Sequence, residues 1–290
     1  MGEMQEKDYP YIDFHTHIIP SQYLKEVLQR KGSPSQERGR TISDHLEINY
    51  SGSIRGLLTS MTRSGIRYSV LLPVAKTPNK VGSTNDWVKN VTMKYQQLIP
   101  FGTIHPNYPH KERELDRLHQ WGFKGVKMHL YLQSDHLHFR PSFLSHEFLT
   151  IARILEQLGM ILFVDTYFPW DNGKDPLTVE GLIGLNDLFP NLKIVAAHMG
   201  SLLNWDAISL FYGRKIFLDI AYTLDILSNN IIESIINTHG ADKVLFGSDF
   251  PYRTPEKEIE RFLTLQISIE DKKCILYQNA KRLLDIQPQF

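Results

Sequence analysis

A single (β/α)8 barrel with an additional C-terminal helix is the architecture this chain predicts, and three observations carry it. Short apolar segments of strand length alternate eight times with segments of helical length and periodicity. No composition break or internal repeat divides the 290 residues, so residues 1–290 read as one domain. A closed parallel barrel needs about 250 residues, and an N-terminal extension over residues 1–10 and a final helix account for the remainder.

The first strand is Tyr11-Ile12-Asp13-Phe14-His15-Thr16-His17, in which alternation places Asp13, His15 and His17 on one face and Ile12 and Phe14 on the other. Ser21 to Lys31 has helical spacing, and residues 32–50, rich in Gly, Ser, Pro and Arg at their start, read as a mobile insertion. A helix from Ser53 to Ser64 stops at Gly65, and the second strand, 68–72, ends at Pro73. Thr84 to Gln97 is helical, 99–104 is a weaker third strand, and His110 to Trp121 is a charged helix. In the fourth strand, 126–130, Lys127 and His129 share the face that Val126, Met128 and Leu130 avoid. A helix from Leu144 to Leu158 precedes the fifth strand, 161–165, an apolar run suited to burial on both faces. The sixth, seventh and eighth strands are 193–198, 216–220 and 243–249, with a helix from Asp225 to His239 before the last. Two helices close the chain, the last opening on Ser268-Ile269-Glu270-Asp271, a capping-box pattern.

Thirty-two basic and thirty-two acidic residues balance, with no cluster of Lys or Arg long enough to follow a phosphate backbone, so nucleic acid is not an expected partner. The single cysteine, Cys274, excludes a disulfide framework and a thiolate cluster and fits a reducing, cytoplasmic compartment. No apolar run reaches membrane-spanning length. The expected partners are a small anionic molecule and at most a second copy of the chain.

Barrel active sites lie at the C-terminal ends of the strands, and the ionisable residues gather there: His15 and His17, Lys127 and His129, Asp165, His198 and Asp249. Polar groups at the ends of apolar strands are costly to bury unpaired, and a shared centre accounts for all of them. His-x-His on a strand suits two nitrogen ligands to a divalent ion, although interior hydrogen-bonded histidines have the same spacing. Asp249 before Pro251 also suits a turn, and His198 and Asp165 also suit satisfaction of backbone groups. His136, His138 and Cys274 fit solvated and helix-core roles. Tyr131, Phe168 and Trp170 are of the kind that wall a planar ligand or only pack loops, and Arg140 and Arg253 add positive charge at the same rim.

Asp13-Phe14-His15-Thr16-His17, Gly122 to His129, Ala197-His198-Met199-Gly200, Leu245 to Pro251 and Asn279 to Leu284 together resemble the amidohydrolase superfamily. The order is similar to the branch holding metal-dependent hydrolases and the decarboxylases related to aminocarboxymuconate semialdehyde decarboxylase. The resemblance runs from about Asp13 to Leu284. It implies a divalent ion, Zn2+ foremost with Mn2+ as the alternative, on His15, His17 and Asp249, with His198 beside it. That branch usually has a histidine where this chain has Asp165, which can ligate through oxygen or serve a structural role. Lys127 is either carboxylated, as in binuclear relatives, or an ammonium for a substrate carboxylate, or one half of an interior salt bridge.

The leading expectation is a metal-dependent hydrolase acting on a small carboxylate-bearing substrate. In it Asp249 takes a proton from the activated water, His198 assists the leaving group, and Lys127, His129, Arg140 and Arg253 bind substrate. The alternative uses the same centre for non-oxidative decarboxylation of an aromatic or unsaturated acid. A third reading is a catalytically inactive, ligand-binding barrel.

Overall fold

A computed structural model describes residues 10–19, 52–134, 142–166, 176–201 and 205–286. The helix expected at Ser21–Lys31, the insertion at 32–50, His136, His138, Arg140, Phe168 and Trp170 lie outside them.

The eight strands are β1 (Tyr11–Thr16), β2 (Ile66–Leu71), β3 (Leu98–Thr103), β4 (Gly125–Met128), β5 (Ile161–Val164), β6 (Lys193–Ala196), β7 (Ile216–Asp219) and β8 (Val244–Leu245). They form one sheet in chain order, every pairing parallel. Backbone bonds from Phe14 N to Phe246 O (2.9 Å) and from Asp249 N to His15 O (2.9 Å) bring the last strand back to the first, giving the barrel that the alternation predicts.

The helices are α1 (Ile54–Ser64), α2 (Val81–Thr92), α3 (Lys111–Gln120), α4 (His146–Gln157), α5 (Pro176–Leu188), α6 (Asn229–His239), α7 (Pro255–Leu263), α8 (Ile269–Lys273) and α9 (Asn279–Leu284). Ser53 and Ser145 cap α1 and α4 through their hydroxyl oxygens, and the expected cap at Ser268 accepts from Asp271 N. The helix predicted from Asp225 begins four residues later, at Asn229, because Thr223 O accepts from Ile226 N and Leu227 N and holds that stretch in turns. Asn279 ties α9 to the barrel, its Nδ2 donating to the carbonyls of Ala241 (2.7 Å) and Val244 (2.8 Å). Among the described residues no helix is long and apolar enough to cross a membrane.

Side-chain alternation divides the core into two layers. Ile161 and Phe163 of β5 point into the barrel, while Leu162 and Val164 pack against the helices. In β4 the same rule sends Val126 and Met128 outward, and Lys127 inward with its Nζ 4.3 Å from the Phe163 ring centroid. β1 departs from it. Strict alternation puts Phe14 opposite His15, yet both rings meet Phe163 inside the barrel, at 6.1 and 5.0 Å. The pairing with β2 shifts register between Asp13 and Thr16, and such an irregularity re-aims side chains at a barrel rim.

Candidate metal centre

Two strand ends bring three donor atoms together. His15 Nε2 and His17 Nε2 lie 3.1 Å apart, and Asp249 Oδ1 stands 3.5 Å from the first and 3.2 Å from the second. The far nitrogen of each ring is fixed: His15 Nδ1 donates to Asp219 Oδ2 at 2.9 Å and His17 Nδ1 to the Leu72 carbonyl at 2.8 Å. A carbonyl can only accept, and an ionised carboxylate likewise, so the protons sit on Nδ1 and both Nε2 lone pairs enter the shared space. Ligand bonds of about 2.0–2.1 Å in tetrahedral geometry put donors about 3.4 Å apart, so this donor set fits a divalent ion. Burial, reinforced by the charge of Lys127, holds the His15 imidazole well below its usual range and therefore neutral. Burial works to raise the Asp249 carboxyl, but His15 and then His17 beside it bring it below the usual range, so it is ionised. Asp249 occupies the left-handed region at φ 62°, as does His198 at φ 55°. Such non-glycine conformations persist where surrounding contacts enforce them.

A second cluster adjoins the first. Lys127 Nζ donates to Asp165 Oδ2 at 3.0 Å. His198 Nε2 is 3.6 Å from the same oxygen, and His129 Nε2 is 3.8 Å from the other. Burial tends to raise the Asp165 carboxyl, but its interactions with His129 and Lys127 and its bond to His198 hold it well below the usual range. His198 Nδ1 donates to Ala221 O at 2.8 Å, which leaves Nε2 facing inward. Burial opposes its charge, yet the hydrogen bond and charge of Asp165 hold the imidazole up at about 9. His129 goes the other way: burial outweighs Asp165 and takes it down to about 4. One barrel mouth thus holds two imidazoles that are shifted in opposite directions beside a donor set that fits a divalent ion.

Residues 12–286 match the family model described as Amidohydrolase. The chain belongs to the amidohydrolase family. A curated relative, the 2-amino-3-carboxymuconate-6-semialdehyde decarboxylase of Caenorhabditis elegans, is 25% identical over 169 residues, which cover 46% of this amidohydrolase and 42% of the relative. The match thus spans less than half the relative's length. Among solved structures, a dihydroxybenzoic acid decarboxylase from Polaromonas sp. JS666 with bound manganese and the inhibitor 2-nitroresorcinol superposes with a TM-score of 0.74. It is 17% identical, with 96% of this chain and 97% of that one covered. The 5-carboxyvanillate decarboxylase of Sphingomonas paucimobilis gives a TM-score of 0.69 at 16% identity, covering 97% and 100%. At such identities the structural likeness establishes the fold.

Of the residues expected at the site of this amidohydrolase, His15, His17 and Asp249 converge, and His198 lies beside them, its ring 5.0 Å from that of His15. Two groups of donors lie within 4.8 Å of one another, His15 with His17 and Asp249 and His15 with His198 and Asp219, and Asp165, which stands in the Lys127 cluster, is absent from both. Arg253 is fully buried, stacked 3.8 Å above the Tyr222 ring and paired with Asp225 at 3.2 Å. Arg140 lies outside the described residues.

Two carboxylates were given no role by the sequence. Asp219 ends β7 by the same rule that singled out the others, an acidic residue closing an apolar strand. Asp13 accepts from Ser248 N at 2.9 Å and Ser248 Oγ at 2.6 Å, and so braces β8 against β1. A cavity of about 560 Å3 at the opposite end of the barrel, beside Arg67 and Gln97, contains none of these ionisable residues.

Proposed function

We propose that the chain is a metal-dependent, non-oxidative decarboxylase of a small aromatic or unsaturated carboxylic acid. The decarboxylase named among its relatives supports this alternative better than the hydrolase that the sequence placed first. The observation that carries the reading is the place of His198, whose ring lies 5.0 Å from that of His15 and whose Nε2 faces the Asp165 carboxylate at 3.6 Å, a contact that favours its charged form. Hydrolysis asks first for a base to take a proton from water. Decarboxylation asks for an acid to give one to carbon.

His15, His17 and Asp249 would hold the ion, Zn2+ or Mn2+, both of which suit a mixed nitrogen and carboxylate set. When bound, the ion supplies positive charge that orients an anionic acid and steadies negative charge developing on it. His198 Nε2 delivers its proton to the substrate carbon as the bond to the carboxylate breaks. The electron pair of that bond forms the new C–H bond, and carbon dioxide leaves. The Nδ1 bond to Ala221 O keeps the ring oriented before and after the transfer, and solvent returns the proton. His129, neutral at the end of β4, borders the same space and receives the uncharged part of the substrate. Substrate anion recognition falls to the ion and His198, while Arg253, paired with Asp225, stacks on the Tyr222 ring and so steadies it 6.2 Å from that of His198. Lys127, offered by the sequence as a substrate cation, is engaged by Asp165.

The test is turnover of dihydroxybenzoates, 5-carboxyvanillate and 2-amino-3-carboxymuconate semialdehyde by the metal-loaded protein in 18O-labelled water. The expected result is stoichiometric carbon dioxide with no label in the other product. Labelled product without carbon dioxide from ester, amide or lactone substrates would restore the hydrolase. Metal-free protein inert across both panels would leave a ligand-binding barrel.

A further inference from the structure

We infer that Lys127 holds Asp165 off the metal, so that the ion is held by three protein side chains where the resemblance expects a fourth, imidazole, ligand from β5. This rests on the metal reading above and concerns residues particular to this chain.

Three observations point the same way. Asp165 follows β5 directly, at the rim where the donor set forms, yet it belongs to neither group of converging donors, His15 with His17 and Asp249 or His15 with His198 and Asp219. Its Oδ2 faces Lys127 Nζ at 3.0 Å and His198 Nε2 at 3.6 Å, and its Oδ1 faces His129 Nε2 at 3.8 Å. Both oxygens are therefore turned toward groups on β4 and beyond β6. Lys127 is fully buried over the Phe163 ring, and Asp165 is its sole hydrogen-bond acceptor among the described residues.

Electrostatics explains why the pair persists. An ammonium sealed inside a barrel is tolerated only beside an opposite charge. For Asp165 to swing to the ion it would have to leave Lys127 buried and uncompensated, so the lysine selects the carboxylate position. Neutralised in this way, Asp165 adds no net negative charge to the centre. The ion keeps a single ligating carboxylate, Asp249, and with it more of the positive charge that an anionic acid requires. The same contact keeps Asp165 beside His198, which it holds in the charged form. A histidine at this position would bind the ion but could not do that.

The measurement is affinity for Zn2+ and Mn2+, separately, by chelator competition on the purified full chain. It compares wild type with D165N, D249N, K127M and K127M/D165N. D165N is expected to bind within about threefold of wild type, whereas D249N loses on the order of a hundredfold, the top of the range for disturbed metal sites. K127M frees a buried carboxylate and is expected to tighten Mn2+ about tenfold, a gain that adding D165N abolishes. The inference is overturned if D165N weakens metal as much as D249N does, or if folded K127M shows no gain. Should K127M fail to fold by circular dichroism, D165N against D249N decides alone. Wild type that binds neither ion removes the metal reading together with this inference. Wild type that binds, with D165N that does not, removes the inference only.

Discussion

Asp219 joins the two halves of the site: one oxygen accepts His15 Nδ1 at 2.9 Å, and the other accepts the backbone N–H of His198 at 2.8 Å. A third bond, from Ala221 N at 3.0 Å, anchors the same carboxylate to its own turn. The residue that orients His15 in the candidate metal centre therefore also holds the left-handed turn that presents His198.

Replacing this carboxylate should loosen both. D219N retains an acceptor for His15 but loses the charge that supports the imidazole, and outer-shell changes of this kind cost about 10–100-fold in metal affinity. Chelator competition should show that loss for D219N and a larger one for D219A. Unchanged affinity in both would mean that His15 keeps its orientation without Asp219.

The pH dependence of turnover follows from His198. In the proposed decarboxylation its imidazolium is the reactive form, and Asp165 favours that form up to about 9, so kcat/KM should be flat near neutrality and fall as pH rises through that region. A bound cation nearby lowers the midpoint, which places the descending limb at or below about pH 9. H198N should be slow and lack the limb. A rate that instead climbs with pH would identify His198 as a base and return the chemistry to hydrolysis.

Much of this was legible in the sequence because barrels put chemistry at strand ends. That rule singled out His15, His17, His198 and Asp249, which lie together at one barrel mouth, and the alternation in β4 singled out Lys127 and places it inside. Asp219 obeys the rule as well, and was missed because no motif drew attention to it. The register shift in β1 was not legible, since a bulge changes which way Phe14 points without any marker in Asp13-Phe14-His15. The partner of Asp165 was open too. That choice depends on a lysine 38 residues away in sequence, and only the barrel brings the two together.

Stability should also depend on pH, through a buried carboxyl outside the donor set. Glu258 in α7 is fully buried; burial outweighs the help of Arg261 and takes its carboxyl from 4.5 up to about 7. Between those values the folded chain binds more protons than the unfolded one, so this group costs stability as pH rises from about 4.5 to 7, and the cost stays constant above. E258Q removes the charge while keeping an acceptor for Arg261. Urea midpoints at pH 5 and pH 8 should differ less for E258Q than for wild type. Asp13, raised to about 7, and Asp219, raised to about 6, act in the same direction and leave a residual slope. An unaltered difference in E258Q would show that its ionisation is not coupled to folding.

The motif Leu245-Phe246-Gly247-Ser248-Asp249 has a packing reason for its glycine. A Cβ at Gly247 would sit 2.7 Å from His15 Cβ and 3.3 Å from Ala221 Cβ, inside van der Waals contact with the strand that carries His15. G247A should therefore cost about 1–3 kcal/mol as an overpacked core substitution, and it should also move His15 Nε2 away from Asp249. Gly122 supplies the control. It has a positive φ of 79°, and a methyl added there would meet no atom within 4 Å, so G122A strains the backbone without crowding anything. Chemical denaturation should show both variants destabilised, G122A by roughly 1 kcal/mol. Only G247A should lose metal affinity. Equal affinity in the two would mean that β1 absorbs the methyl without displacing His15, and the close approach of β8 would then serve packing rather than the centre.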